Sequence, residues 1–315
     1  MQIKTYSFPS KDDASTRIHG MHYLPEGEPK AVVMVAHGMK EYIERYAPLA
    51  AFFCEKGVAL MGHDHIGHGG SVASSDERGI MHTEHAGHVM MEDMFSDYRY
   101  MKELYPNIPC FFLGHSMGSY LLRWMLSAKA GELSGLTGAI VMGTGQAAPP
   151  LVAAGKSILR TLALIHGWDY RSESVERMMI SQIAGSRFDH TGNDPANNWL
   201  TKEADVVTGY QSDEKCAFLF SLNAYMAMLD AAEYDMQKQN VEKVRKSLPI
   251  FFISGADDPV GNYGKGVREA AKMYKRVGVE HVALRLYKND RHEILNETDR
   301  MQVYKDIYHW MKKGS

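Results

Sequence analysis

Six short apolar runs punctuate the chain: Ala31–Ala36, Val58–Met61, Cys110–Leu113, Ala139–Met142, Ile250–Ile253 and Val282–Tyr287. Several are continuous rather than alternating, as expected of strands covered on both faces. Helix-length amphipathic stretches lie between them, over about 42–56, 88–104, 120–130, 264–277 and 298–312. Gly57 stands directly before Val58, where a glycine ends a helix with least strain. Strand and helix in turn predict a doubly wound, mostly parallel α/β sheet.

The rhythm breaks between residues 145 and 230. Pro149-Pro150 opens the interval, and 151–166, 175–184 and 217–229 read as helices with no strand between them. Gly185–Asn198 is loop-like, rich in Gly, Asn and Asp. A plain pair of crossover helices is the simpler reading, but roughly 85 residues is long for a connection. The pattern predicts a helical cap, or lid, on the carboxyl edge of the sheet. It divides the chain into a first core part (1–144), the cap (145–230) and a second core part (231–315).

Composition narrows the class. Of 315 residues, 45% are hydrophobic and 23% charged, which excludes a disordered or fibrous chain. A net charge of −3 with no basic stripe excludes nucleic acid as a main partner. Apolar runs of about six residues fall far short of a membrane span. The first residues, Met1-Gln2-Ile3-Lys4-Thr5, carry no apolar core or cleavage site of a signal peptide. Three widely spaced cysteines, Cys54, Cys110 and Cys216, fit a reducing cytoplasm rather than a disulfide framework.

The chemistry gathers at the ends of the apolar runs. Cys110–Leu113 leads into Gly114-His115-Ser116-Met117-Gly118, and a helical pattern follows. A strand-to-helix turn of this kind strains its central residue and thrusts the side chain out at the sheet edge. The bare Gly-x-Ser-x-Gly pattern is a weak signal; the strand before and helix after strengthen it. Met117 N–H, at the helix start, can stabilise an oxyanion. A serine needs a base, and the base an orienting acid, in the chain order Ser, acid, His. Gly255-Ala256-Asp257-Asp258-Pro259-Val260 follows a strand and offers two acids. Of the histidines beyond it, His281 precedes a strand and His309 falls inside the terminal helix. His292 lies in a polar loop after Val282–Tyr287, where a base belongs. A second oxyanion donor is expected after an early strand, and Met39 N–H in His37-Gly38-Met39 supplies it.

These segments resemble the α/β-hydrolase superfamily, and within it the monoacylglycerol lipase and lysophospholipase branch (serine aminopeptidase S33-like). His37-Gly38-Met39-Lys40-Glu41, Gly62-His63-Asp64-His65-Ile66-Gly67-His68-Gly69 and Gly114–Gly118 carry the likeness, with Asp258-Pro259-Val260 and Arg291-His292-Glu293. The resemblance implies an α/β-hydrolase fold whose insertion is the family's cap. It further implies a Ser–Asp–His esterase of glycerol- or phospholipid-linked single acyl chains, without a cofactor. The family spacing of Gly, two residues, then Asp selects Asp258 over Asp257.

Fifteen histidines and 21 methionines remain to be placed. His63-Asp64-His65 resembles a metallo-β-lactamase loop, but His-Asp-His-x-x-His lacks that ligand spacing, and the segment matches the hydrolase loop far better. Asp64 and His65 are expected to hydrogen-bond the loops around the site. His82, His85 and His88 have a spacing that would place them on one helical face, yet no carboxylate or cysteine accompanies them. No metal is expected. Met34, Met61 and Met142 read as core residues. Met178, Met179, Met226 and Met228 lie in or beside the cap, where thioethers suit an adaptable acyl pocket, although core filling is the simpler reading.

The expected activity is carboxylic-ester hydrolysis, with Ser116 as nucleophile, His292 as base, Asp258 as orienting acid, and Met39 and Met117 as oxyanion donors. Met178 and Met179 are the candidate substrate contacts. The expected partner is a small acyl ester, with at most peripheral membrane contact. Three rivals stand beside it. One is a peptidase capturing a free amino terminus with Glu173, Glu176, Asp189 or Asp205; the others are a non-catalytic ligand-binding protein and a metal-dependent hydrolase.

Overall fold

A computed structural model describes residues 1–12, 16–181 and 197–314. In chain order the elements are β1 (Gln2–Pro9), β2 (Arg17–Leu24), β3 (Ala31–Ala36), α1 (Ala47–Cys54), β4 (Val58–His63), α2 (Ala86–Leu104), β5 (Cys110–His115), α3 (Met117–Ala128) and β6 (Gly138–Met142). There follow α4 (Pro149–His166), α5 (Glu173–Ser181), α6 (Ala204–Ser212), α7 (Leu222–Met236), α8 (Lys238–Val241), β7 (Ile250–Gly255), α9 (Lys265–Arg276), β8 (Val282–Tyr287) and α10 (Arg300–Gly314). Every apolar run is a strand, and the sheet runs β1-β2-β4-β3-β5-β6-β7-β8. β1–β2 and β2–β4 pair antiparallel; every later pair is parallel.

The continuous runs are explained by two separate cores. Alternate residues of each strand face opposite ways, so Val32, Met34 and Ala36 join one cluster while Val33 and Val35 join the other. The first lies under α2, α3, α7 and α9, and the second under α1 and α10. Met34, Met61 and Met142 are fully buried, as expected of core residues.

Several boundaries differ from expectation. The stretch from Tyr42 begins as a 3-10 turn (Ile43–Tyr46), and α1 starts at Ala47 with Pro48 in its first turn, where a missing N–H leaves no bond unmade. The third helix of the interval is Leu222–Met236, not 217–229, because Ser221 Oγ accepts the N–H of Ala224 and caps it there. Residue 230 therefore falls inside α7, which packs on α2, α3 and α4. α6 and α8 were not expected. The loop over 185–196 and the end of the helix over 182–184 lie outside the described residues.

The parallel register brings the strand ends level: Ala36 pairs with Gly114, His115 with Met142, and Gly255 with Tyr287. Strand order reverses around β3, between β4 and β5, and the loops leaving β3, β5 and β7 meet there. Open α/β sheets place ligands at such a switch point.

Candidate active site

Ser116 links β5 to α3 with φ 50° and ψ −119°, a left-handed conformation that a residue with a Cβ adopts only under strain. Its flanking glycines are sterically required. A Cβ on Gly114 would lie 2.4 Å from the carbonyl oxygen of Gly118, and one on Gly118 would lie 2.2 Å from that of Ala36. The turn is thus pressed between β3 and α3, with Ser116 at its apex.

Asp258, in the loop after β7, is fully buried. Its Oδ2 lies 3.0 Å from His292 Nδ1 and accepts the hydroxyl of Ser254 at 2.9 Å, while Oδ1 accepts Val260 N–H at 2.9 Å. Burial pushes the carboxyl up, but His292 and these donors outweigh it and hold it below the usual carboxylate range. Asp257 is half-buried and meets the His292 loop through its backbone N–H, which donates to Asp290 O at 2.9 Å. Of the two adjacent acids, Asp258 is the one whose carboxylate meets the imidazole. His281 and His309 are exposed.

An apolar cavity of about 310 Å³ opens beside these groups. Its wall includes Ser116, Met39, Met117, Met178 and Met179, with Trp199, Leu229 and Val260. Met228 also lines it, whereas Met226 is buried in the core. Met178, Met179 and Met228 do both: they pack against the core and border the void that the sheet edge leaves. The Gly38 backbone reaches the nucleophile closely, since a Cβ there would sit 3.0 Å from Ser116 Cβ.

Beneath the nucleophile turn lies a buried charge network that sequence reasoning did not assemble. Glu41 accepts the N–H of Gly38, bonds His115 Nδ1 at 2.7 Å and Tyr46 OH at 3.0 Å, and meets Arg45 at 3.2 Å. Arg45 in turn grips Glu293 with two bonds of 2.9 Å. Burial disfavours the Glu41 charge, yet His115 and Arg45 overcome it and hold the carboxyl well below its usual range. Glu41, His115 and Glu293 all stood in the motifs quoted above, so position alone flagged them. Their pairing depends on tertiary contact.

The other histidines divide by partner. His63 Nδ1 bonds Asp97 at 2.8 Å; His37 Nδ1 donates to Gly38 O at 2.7 Å and its Nε2 accepts His65 N–H at 2.9 Å. Asp64 ties the loops as expected, accepting Ile43 and Gly70 N–H at 2.7 Å each. His65 does so through its backbone N–H on His37; its ring is buried against His37 and His63, and neither ring nitrogen finds a hydrogen-bond partner among the described residues. His82, His85 and His88 share no helical face, because α2 begins only at Ala86. Among the described residues no group of three or more His, Cys, Asp or Glu is arranged to hold a metal ion.

The carboxylates considered for an amino-terminus site lie elsewhere. Glu173 and Asp205 are exposed, Glu176 pairs with Lys40 at 2.5 Å, and Asp189 lies outside the described residues.

Comparison with known proteins follows this geometry. The family profile described as "Serine aminopeptidase, S33" matches residues 27–299. Human monoglyceride lipase is 33% identical over 115 residues, a stretch that spans 36% of each chain. A monoacylglycerol lipase of Mycolicibacterium smegmatis is 24% identical over 92% of this chain and 90% of its own. Among solved structures, a thermostable carboxyl esterase from Bacillus coagulans in complex with glycerol superposes with a TM-score of 0.89 at 28% identity, over 99% of both chains. The chain belongs to the serine aminopeptidase S33 family of α/β-hydrolases, in its monoacylglycerol lipase-like branch.

Proposed function

We propose that the protein hydrolyses carboxylic esters of single acyl chains, monoacylglycerols or lysophospholipids, through an acyl-enzyme. The observation that carries this reading is the 3.0 Å contact of His292 Nδ1 with Asp258, beside an apolar cavity whose wall includes Ser116. With Nδ1–H donated to Asp258, the Nε2 lone pair is free to take the Ser116 proton. Ser116 Oγ then attacks the ester carbonyl, and the backbone N–H groups of Met39 and Met117 receive the developing oxyanion. The imidazolium returns its proton to the leaving alcohol. Water, activated by the same imidazole, releases the acid and frees Ser116. Protein groups perform every step, and no cofactor or metal enters.

Residues 145 to about 221, carrying α4–α6, act as the cap that shelters the acyl chain. Relatives described as monoglyceride lipases support the substrate class, as does a carboxyl esterase that held glycerol. Among the described residues no helix is long and apolar enough to cross a membrane. Leu164, Ile165 and Trp168, exposed at the end of α4, suit peripheral contact with a lipid surface.

The family description also names an aminopeptidase, and binding a free amino terminus calls for a carboxylate facing the substrate. Among the described residues the cavity wall carries no acidic side chain, which favours the ester reading. Side-by-side assay of p-nitrophenyl esters and aminoacyl anilides tests it. Ester turnover with Ser116-dependent labelling by a fluorophosphonate is expected. Faster anilide turnover would favour the peptidase, and absence of labelling a binding protein.

A further inference from the structure

The loop that presents His292 is held by a segment from the far side of the chain. Residues 288–297 contain only one short 3-10 turn, Ile294–Asn296, and the chain returning from the cap lies along them. His292 N–H donates to Trp199 O at 3.3 Å, Glu293 N–H to Leu200 O at 2.7 Å, and Lys202 N–H to Glu297 Oε2 at 3.1 Å. The Trp199 ring packs on the imidazole with centroids 5.0 Å apart, and His115 packs on it at 4.9 Å.

The charges are more telling. Asp290 and Glu297 bracket His292 in sequence, and both are fully buried. Lys202 Nζ lies 2.7 Å from Asp290 Oδ1 and 3.7 Å from Glu297 Oε2, so one cation serves two carboxylates. Without it, two buried carboxylates would face each other unneutralised, which a loop relieves by moving. Burial already pushes Asp290 up to about 6, with Lys202 pulling it back.

We propose that Lys202 and Trp199 are positioning residues for His292: Lys202 neutralises the buried Asp290–Glu297 pair that frames the loop, and Trp199 fixes the imidazole within it. The inference rests on His292 being the base. The cap's return segment and the base then move as one unit, so a change in the cap is felt in the chemical step as well as in substrate fit.

The test uses p-nitrophenyl acetate, whose short acyl group draws little on the cavity. K202M is expected to lower kcat about tenfold or more with KM little changed, because a misplacement near 1 Å can cost about a hundredfold. K202M/D290N is expected to recover kcat to within about threefold, since one buried charge fewer needs no cation. W199L is expected to lose about tenfold in kcat, and W199F less, because a ring is kept against the imidazole. Wild-type kcat in K202M, or a folded double variant no better than K202M, would overturn the role of Lys202. Equal rates for W199F and W199L would overturn that of Trp199. If K202M alone does not fold, the double variant decides: folded and active supports the proposal, folded and about tenfold impaired sinks it. H292A is the reference: undiminished turnover there would remove the base itself, an outcome distinct from all of these.

Discussion

A serine held at φ 50° stores strain that a glycine would not, because glycine has no Cβ to clash there. Ser116→Gly is therefore expected to be more stable than Ser116→Ala, by about 1 kcal/mol after glycine's greater freedom in the unfolded chain is subtracted, and so to melt higher. Both variants should be inactive. Calorimetry of the two side by side checks it, and a Gly variant that melts below the Ala variant would mean the turn carries no appreciable strain. The acid invites a sharper comparison. Asp258→Asn removes the group that orients His292, and kcat is expected to fall about 10⁴-fold; Asp257→Asn should fall by less than about tenfold, because its carboxylate is outside that contact. The reverse ranking in ester turnover would shift the acid by one residue. At this scale the positions of the candidate site residues were largely legible. Ser116, Asp258 and His292 each follow an apolar run that ends at the same sheet edge, and such ends can be read from a sequence. Spacing alone did not separate Asp258 from Asp257; family resemblance did. The Glu41–His115–Arg45–Glu293 network was not legible, since residues from three separate segments of the chain meet only after folding.

Among elements, the central parallel strands were readable because both their faces are buried and their apolar runs are unbroken, whereas edge strand β8 is only partly buried and carries Arg285. β1 and β2 were not readable. β1 is a mostly exposed edge strand, QIKTYSFP, and its partner RIHGMHYL interleaves histidine and arginine with apolar residues. Such strands are defined by pairing rather than by composition. The connection after β4 has a thermodynamic consequence. Burial pushes His68 down to about 3 and His65 well below the usual histidine range, and His22 on β2 down to about 4. The unfolded chain takes up protons near 6.5, whereas these folded groups do not. Their contribution is complete above that value and is lost as pH falls from about 6.5 toward 3–4, by up to ~1.4 kcal/mol per histidine per pH unit. Asp93 and Asp290, raised by burial to about 6, and Asp235, raised to about 8, oppose them in that window. Urea unfolding of wild type and a His68 variant from pH 7 to 5 isolates one histidine. His68→Asn should lower the slope by about one proton, and an unchanged slope would show that His68 does not stay neutral.

For the whole molecule, the question is what the cavity adds to a site that the core already holds together. The sheet edge supplies Ser116, Asp258 and His292, while Met178 and Met179 on α5 and Leu151, Val152 and Ile158 on α4 close the space above them. That wall is almost wholly apolar, so it rewards chain length rather than headgroup. Each methylene taken from water should contribute roughly 0.8 kcal/mol, about a fourfold gain in kcat/KM, until the cavity is full. Medium and long monoacyl esters should therefore outpace acetate. Triacylglycerols should be poor substrates, because two further chains have no room under the cap. Met178→Asp or Met179→Asp places a carboxylate in that wall and should depress long-chain esters far more than acetate, leaving fluorophosphonate labelling of Ser116 intact. Equal losses on both esters would mean that the methionines support the fold and not the acyl chain. A chelator should leave both rates unchanged, since in the proposed mechanism protein side chains and backbone carry each proton and charge; inhibition reversed by zinc would replace that mechanism with a metal-dependent one.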